Sequence, residues 1–275
     1  MIARSWLRRV TLCTSDAEVF QAIRYLECDP EIAGDIEDMT ISVEPYRSYY
    51  RIVQDGKIVR EQISTQGVTE TLHAELMLLS HAEFPTAPLI HAASVRRAGR
   101  RVLLVGPKGG GKTTLTLRLI REGYEIEGDE NVFVTSEGVM PRPRGLRVKE
   151  SAAALLPELA YTFSGAPYYQ VGPNFRVYNL DPRQVGAAFW RIERGPVDAV
   201  VLLRPNHGGS SSLRRVSSLA LVREVMEECA LPAIERAGAV RAITQVISNA
   251  RGFDLSLGDL AGAVAYVDRV FDDII

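Results

Sequence analysis

The chain has 275 residues, a length that suits one large domain or a core domain with a smaller appendage. Its apolar content of 46% is that of an ordinary globular protein, and its net charge is −2. The near-neutral charge argues against binding to nucleic acid through bulk positive charge, and the sequence has no apolar run of 18 residues that would predict a membrane span. The cysteines Cys13, Cys28 and Cys229 lack CxxC spacing, so we expect buried free thiols in a cytoplasmic protein, without disulfides or zinc.

Residues 1–85 predict a small α+β unit. Apolar side chains at helical spacing predict a helix at 15–27 with Ser15 as its N-cap, and a second helix at 69–82. Alternating segments predict strands, the last two joined by a hairpin at Asp55-Gly56. These strands are predicted at 39–43, 49–53 and 58–63.

Residues 86–275 predict an α/β domain. Apolar, β-branched runs are typical of buried strands, and they occur at 89–95, 101–105, 126–134 and 197–203. Helical spacing is found at 112–122, 219–229, 233–249 and 259–271. Segment 138–190 is rich in proline and glycine, and we interpret it as an irregular insertion that faces the substrate.

The most specific motif runs from Gly106 to Thr113, where Gly-Pro-Lys-Gly-Gly-Gly-Lys-Thr fits the phosphate-loop pattern G-x-x-x-x-G-K-[ST] between a predicted strand and a predicted helix. Glycines admit positive φ and let backbone N–H groups surround an anion, to which the helix N-terminus adds its dipole. Lys112 would reach the β- and γ-phosphates, and the Thr113 hydroxyl would hold Mg²⁺. The alternative is a glycine-rich turn that happens to precede a helix. The predicted nucleotide-binding residues are Gly106, Pro107, Lys108, Gly109, Gly110, Gly111, Lys112, Thr113 and Thr114.

Two acidic residues, Asp129 and Glu130, follow the loop after one helix and one strand. One carboxylate can hold Mg²⁺ while the other accepts the proton of an attacking hydroxyl, but Gly-Asp-Glu-Asn is also the composition of a solvated turn. His91 lies in the apolar run before the loop strand, where a histidine is either functional or a satisfied core residue. We expect the other histidines at the surface or in loops, namely His73, His81 and His207.

Three segments together resemble the HPr kinase/phosphorylase superfamily: LIHAASV at 89–95, VLLVGPKGGGKTTLTLRLIREG at 102–123 and GDENVFV at 128–134. The resemblance implies an α/β fold with a P-loop kinase core of the HPr kinase-like type, ATP and Mg²⁺ as cofactors, and a Ser or Thr hydroxyl of a peptide or small protein as acceptor. Within this superfamily, the chain resembles the branch found beside lasso-peptide genes.

The same resemblance implies roles for single residues. Asp129 would be the catalytic carboxylate, Glu130 a metal-side acid together with Thr113, and His91 a phosphate-facing residue. The chain departs from the family pattern at Glu130, where the family has Asp, and at Arg142, where the family has a metal-binding Glu before Arg-Gly-Leu.

Several alternatives stay open at the level of sequence. A nucleotide-dependent switch with slow ATPase activity, or a kinase of a small-molecule alcohol, would carry the same loop, and a homo-oligomer is compatible with it. A basic cluster is either a lip that grips phosphate or a solvated charge run, and an aromatic cluster is either a peptide-docking surface or a local core. The clusters are Arg142, Arg144, Arg147 and Lys149, and Tyr161, Phe163, Tyr168 and Tyr169. Loop 206–212 follows a predicted strand where α/β folds bind ligands, or it is a plain connection.

Overall fold

The computed structural model describes residues 1–5, 8–28, 37–142, 145–171, 175–187 and 193–275, and these residues form a mixed α/β protein. Their helices are α1 (Ala17–Ile23), α2 (Thr65–Glu83), α3 (Lys112–Arg121), α4 (Glu150–Ala153), α5 (Ala160–Gly165), α6 (Ser218–Glu227), α7 (Arg236–Ser248) and α8 (Leu260–Ile274). Their strands are β1 (Ile2–Arg4), β2 (Arg8–Thr14), β3 (Glu37–Tyr46), β4 (Tyr49–Gln54), β5 (Lys57–Gln62), β6 (Leu89–Ile90), β7 (Ala92–Arg97), β8 (Arg100–Val105), β9 (Glu125–Gly128), β10 (Val132–Thr135), β11 (Gly138–Pro141), β12 (Leu146–Lys149), β13 (Tyr168–Gln170), β14 (Arg176–Leu180), β15 (Ala199–Pro205), β16 (Ser212–Val216), β17 (Cys229–Ala230) and β18 (Arg251–Leu257). None of the described helices is both long enough and apolar enough to cross a membrane.

The chain divides into two compact units. The N-terminal unit comprises Met1–Phe84 and Pro143–Gln184, and the core unit comprises Pro85–Arg142 and Val185–Ile275. The predicted division placed everything after residue 85 in one domain, whereas the segment after Arg142 groups with the N-terminal unit.

The contacts of this segment give the physical reason. Strands β12, β14 and β13 form an antiparallel sheet of their own, so much of the segment is regular where we expected an irregular insertion. A Cβ on Gly145 would overlap the carbonyl oxygen of Tyr25, and Arg183 is ion-paired with Glu27. Both contacts join the segment to residues near the end of α1.

The N-terminal unit also contains a five-stranded sheet in the order β1-β2-β3-β4-β5, in which β2 and β3 are parallel and the other pairs are antiparallel. Helices α1 and α2 share a core with this sheet, because apolar side chains at helical spacing meet the alternate residues of the strands. The fully buried members include Val10, Ile23, Ile41, Ile52 and Leu72.

Two local predictions for this unit can be compared with the structure. The hairpin at Asp55-Gly56 forms, with positive φ at both residues, 46° and 80°, as a type I′ turn requires. The N-cap of α1 is Asp16 and not Ser15, because Asp16 Oδ1 accepts hydrogen bonds from the N–H groups of Glu18 and Val19 at 2.9 and 3.0 Å.

The core unit is built on a six-stranded sheet in the order β16-β18-β15-β8-β7-β9, in which β18, β15 and β8 are parallel. Along β8, Val102 and Leu104 belong to the core formed with α3 and α8, whereas Leu103 and Val105 belong to the core formed with α6, α7 and a second sheet. Because both faces are covered, the neighbouring strands β8 and β15 are apolar along their paired residues, Val102–Val105 and Ala199–Leu202. The second sheet is antiparallel, in the order β11-β10-β6-β17.

The runs at 89–95 and 126–134 were each predicted as one strand, and the structure breaks both. The first is β6 and β7, separated at His91, and the second is β9 and β10, separated by residues 129–131. In each case one half pairs in the six-stranded sheet and the other in the four-stranded sheet. Apolar periodicity does not reveal this change of sheet, because both halves are buried.

Candidate functional site

The glycine-rich loop leaves the end of β8 at a point where a side chain does not fit. A Cβ on Gly106 would lie 2.9 Å from the carbonyl oxygen of Leu203 and 3.2 Å from its Cβ, on the neighbouring parallel strand β15. Gly106 therefore lets the chain turn while it stays in contact with the sheet.

The turn itself uses glycine for its backbone conformation. Gly109 and Gly111 have φ of 84° and 89°, and the Gly110 N–H donates to the Pro107 carbonyl at 2.9 Å. Gly111 is the N-cap of α3 and provides no side-chain acceptor to the first N–H groups of this helix, and anions commonly bind at such a position.

Lys112 folds back over the loop. Its side chain is buried, with 6% of the residue exposed, and Nζ donates to the carbonyl oxygens of Gly106 and Pro107, the latter at 3.1 Å. Among its neighbours, Lys108 is exposed at the outside of the turn, Thr113 is half-buried and Thr114 is buried. The loop thus holds a positive charge on its inner side, where helix N–H groups also begin.

The strand register brings His91 and the acidic pair to the same end of the sheet as the loop. Ala92 of β7 is paired with Val105 of β8, so His91 and Gly106 are the next residues along. The Ala92 N–H donates to the Glu130 carbonyl at 3.1 Å, which joins the acidic turn to the same point. Asp129 and Glu130 lie in a bend, as a turn composition predicts, but their side chains are half-buried and not fully solvated.

Sequence reasoning missed a carboxylate beside His91. Nδ1 of His91 is 3.6 Å from Oε2 of Glu228, and the His91 N–H donates to the Glu228 carbonyl at 2.9 Å. Glu228 follows α6 and is far from His91 in the sequence, so no local pattern predicts the contact. The next residue is Cys229, whose thiol donates a hydrogen bond to the Val225 carbonyl oxygen. Burial, together with the nearby Glu228 charge, raises the pKa of Cys229 to about 12.

A buried ion pair leads into the acidic turn. Glu127, 1% exposed in its side chain, accepts two hydrogen bonds of 2.7 Å from Arg101, 4% exposed, and a third of 2.7 Å from the Ser94 hydroxyl. These three residues lie on β9, β8 and β7. Because Glu127 is two residues from Asp129, the pair fixes the strand that carries the acidic turn.

The described members of the basic and aromatic clusters differ in burial. Arg142 is buried, which corrects its interpretation as part of a solvated run, and Arg144 lies outside the described residues. Arg147 and Lys149 are half-buried on β12 of the N-terminal unit. Of the aromatic residues, Phe163 is buried, Tyr161 and Tyr168 are exposed and Tyr169 is half-buried.

Loop 206–212 is fastened to the start of α8. The Ser211 hydroxyl donates to the Asp259 carbonyl at 2.6 Å, and the Ser211 N–H donates to the Asp259 carboxylate at 3.1 Å. Asp259 also caps α8 through the Gly262 N–H, and these backbone N–H donors lower its pKa. The hydrogen bonds give the loop a structural role.

Two expectations about scattered residues were wrong. His73 is buried on α2 and not at the surface, and Cys13 is exposed, whereas Cys28 is buried and Cys229 half-buried. The residues that the structure describes contain no cluster of three or more His, Cys, Asp or Glu suited to a metal ion.

No family model matches the chain, and no curated protein is significantly similar to it in sequence. What the site can bind is therefore inferred from its own residues.

Proposed function

We propose that the protein is an ATP- and Mg²⁺-dependent kinase, of the HPr kinase-like P-loop type, that phosphorylates a Ser or Thr hydroxyl in a peptide or small protein. One observation carries the proposal: a loop with positive φ at Gly109 and Gly111 lies between a buried strand and a ten-residue helix, with the Lys112 ammonium folded over it. Backbone N–H groups, a helix N-terminus and a lysine together suit a triphosphate.

The residues present fit a nucleotide and its metal. The close approaches at Gly106 and Gly110, where an added Cβ would meet a carbonyl oxygen at 2.9 Å, keep side chains out of the loop. Mg²⁺ is commonly held by one or two protein oxygens together with substrate phosphates, so the lack of a larger acidic cluster in the described part of the chain agrees with it. Thr113 and Glu130 are the residues we propose as protein ligands.

Asp129 is the proposed proton acceptor. In the transfer, the hydroxyl oxygen of the acceptor forms a bond to the γ-phosphorus, the bond from that phosphorus to the β–γ bridging oxygen breaks, and the hydroxyl proton passes to the Asp129 carboxylate. Its half-buried position in the turn that contacts the start of β7 supports this role, because partial burial keeps water away while leaving room for an acceptor. Glu127 and Arg101 hold the approach strand in place.

His91 is proposed to face the phosphates. The Glu228 carboxylate, 3.6 Å from Nδ1, favours a proton on that nitrogen and orients the ring. Because the ring orientation is fixed in this way, the direction of the opposite nitrogen, Nε2, would be fixed as well. Glu228 is thus a positioning residue under this proposal.

The test uses [γ-³²P]ATP with Mg²⁺ and an array of peptides that contain Ser, Thr or Tyr. We expect label on Ser or Thr peptides with the parental protein, and none with Lys112→Ala, which removes the charge from the inner side of the loop. Lys57→Ala is the control, because this exposed lysine lies on β5 of the N-terminal unit and outside the loop, so its loss should leave phosphorylation unchanged. Turnover by Lys112→Ala at the parental rate would contradict the loop assignment.

The distribution of the label separates the alternatives. Label found only in inorganic phosphate would favour a nucleotide-dependent switch with slow ATPase activity, and label on a small alcohol would favour a small-molecule kinase. Mg²⁺ titration of Thr113→Val tests the metal, because valine keeps the shape of threonine and removes the hydroxyl ligand. An unchanged apparent Mg²⁺ affinity would exclude Thr113 as a ligand.

A further inference from the structure

We propose that the N-terminal unit carries a docking site for an extended peptide, lined by helices α1 and α2 and by the sheet β12-β14-β13. This site goes beyond the proposed nucleotide chemistry of the core unit, and its test needs neither ATP nor Mg²⁺.

The site is a cavity of about 670 Å³ that is lined only by residues of the N-terminal unit. Gln21 of α1 and His73 of α2 line it together with Arg147 and Asn179. Arg147 and Asn179 are cross-strand partners on β12 and β14, so their side chains project from the same face of the sheet. The volume lies within the range of natural ligand pockets, about 300–1,000 Å³.

A second cavity makes the space elongated. Its volume is about 370 Å³, and it shares with the first cavity the lining residues Gln21, Tyr25, Gly165, Pro167 and Asn179. A compact molecule fills one cavity, whereas an extended chain can occupy both. The shared boundary therefore favours a linear ligand.

Asn179 lies at this boundary, and its side-chain oxygen has no hydrogen-bond donor among the described residues. The residue is 5% exposed, and its Oδ1 accepts no hydrogen bond from the residues that the structure describes. A buried amide oxygen without a donor is rare in native proteins and calls for an explanation, such as a ligand that supplies an N–H. The neighbouring lining is also polar, since Tyr25 and His73 line the same cavity and the Tyr25 hydroxyl oxygen lies 3.4 Å from His73 Nδ1.

The sheet offers an open edge beside the cavity. β13 is an edge strand that pairs with β14 alone among the described strands. The Asn179 N–H donates to the Pro167 carbonyl at 2.8 Å, and the Val171 N–H donates to the Phe175 carbonyl at 2.7 Å. In an antiparallel pair, every second residue forms hydrogen bonds with the partner strand. Pro167 and Val171 are bonded positions, so the N–H and C=O of Tyr168 point away from β14. A peptide can pair with this edge as an added strand, which is a common mode of peptide recognition.

Charge gives the site a preference. Glu18 and Glu70 line the larger cavity from the helices, and Arg147 lines it from the sheet, where its guanidinium stacks 4.7 Å from the centre of the Tyr169 ring. In the larger cavity, two carboxylates against one guanidinium leave an excess of negative charge, whereas Arg24 and Arg183 outnumber Asp181 in the smaller cavity. We therefore expect the bound peptide to carry Lys or Arg in the part that occupies the larger cavity.

The experiment is selection of a random dodecapeptide phage library on the full chain, without nucleotide. We expect enrichment of a sequence family that contains Lys or Arg, followed by a measured Kd for a synthetic member. Tyr168→Pro removes an N–H on the open edge while leaving the β14 hydrogen bonds, and Asn179→Ala removes the buried oxygen, so each should weaken binding about tenfold or more. Tyr161→Ala is the control, because Tyr161 is 92% exposed and does not line the cavity; it should bind as the parental chain does.

Thermal unfolding of each variant separates binding from folding. Because Asn179 Oδ1 accepts no hydrogen bond from the part of the chain that the structure describes, Asn179→Ala should melt close to the parental temperature. Failure to enrich any family overturns the proposal, as does equal affinity of the selected peptide for the parental chain and both site variants. Stabilisation by nucleosides or sugars with no peptide bound would assign the cavity to a small molecule instead.

Discussion

Three of the four glycines of the glycine-rich loop, Gly106, Gly109 and Gly111, should respond to alanine in a defined order, because an added Cβ would meet different surroundings at each. Gly109→Ala places a Cβ in open space and costs only the left-handed backbone, about 1–2 kcal/mol. Gly111→Ala carries the same backbone penalty, and its Cβ would also overlap Leu257 Cδ2. That atom is the end of a flexible side chain with the next atom 3.7 Å away, so a rotamer change adds only about 0.5–1.5 kcal/mol.

Gly106→Ala differs because its Cβ meets backbone. The carbonyl oxygen of Leu203 at 2.9 Å belongs to the central strand β15 and cannot rotate away, so the sheet itself must shift, at a cost of about 1–3 kcal/mol. We expect Gly106→Ala to reduce the affinity for a fluorescent ATP analogue most, because it displaces the whole loop relative to the strand that carries it.

Urea unfolding gives the stability of each variant, and titration with the ATP analogue gives its affinity. Gly99→Ala serves as a control outside the loop: φ at Gly99 is 76°, its Cβ would be in open space, and it should lose stability like Gly109→Ala without losing nucleotide affinity. The reasoning fails if Gly109→Ala is more damaging than Gly111→Ala in stability, or if Gly106→Ala binds the nucleotide as the parental protein does.

Other predictions concern separate parts of the chain. Asp129→Asn should lower the rate of acceptor phosphorylation by about 10²- to 10⁴-fold at saturating ATP and Mg²⁺, while the nucleotide affinity is retained. A lower nucleotide affinity with preserved turnover per bound nucleotide would instead make Asp129 a metal ligand. Arg101→Met should destabilise the protein by about 3–5 kcal/mol in urea unfolding, because it leaves the buried Glu127 carboxylate with Arg96, 3.5 Å away, as its cationic partner. Adding Glu127→Leu should restore part of the loss, since the hydrogen bonds of Arg101 to the Glu193 and Pro196 carbonyls stay broken; no restoration would refute the buried pair as the cause. Iodoacetamide at pH 8 should modify the exposed Cys13 and spare Cys229. The pKa of Cys229, about 12, keeps its thiol protonated and unreactive until the pH approaches that value. Mass spectrometry that finds both cysteines labelled alike at pH 8 would contradict this.

The backbone of the glycine-rich loop could be predicted because its signal is local. Eight consecutive residues determine where φ must be positive and where the helix starts, and Gly109, Gly111 and Lys112 adopt the conformation that the pattern indicates. The Asp55-Gly56 hairpin was predictable for the same reason. In both cases the backbone geometry depends on the residues of the turn itself.

The surroundings of the loop could not be predicted in this way. Glu228 reaches His91 because β17 pairs with β6, and Glu127 meets Arg101 because β9, β7 and β8 are neighbours in the sheet. These contacts join residues that are distant in the sequence and have no shared periodicity. Strand pairing alone brings them together.

The sequence by itself therefore determined the elements whose geometry is set by neighbouring residues: the backbone of the glycine-rich loop, the hairpin, and, within a few residues, the described α-helices of seven or more residues and the strands β3, β4, β5, β8 and β15. Only the tertiary structure decided that the strands predicted at 89–95 and 126–134 change sheets, that the segment after Arg142 groups with the N-terminal unit, and that His73 faces a cavity. The physical reason is that burial and pairing depend on which apolar faces meet, and an apolar run has the same composition whichever sheet it joins.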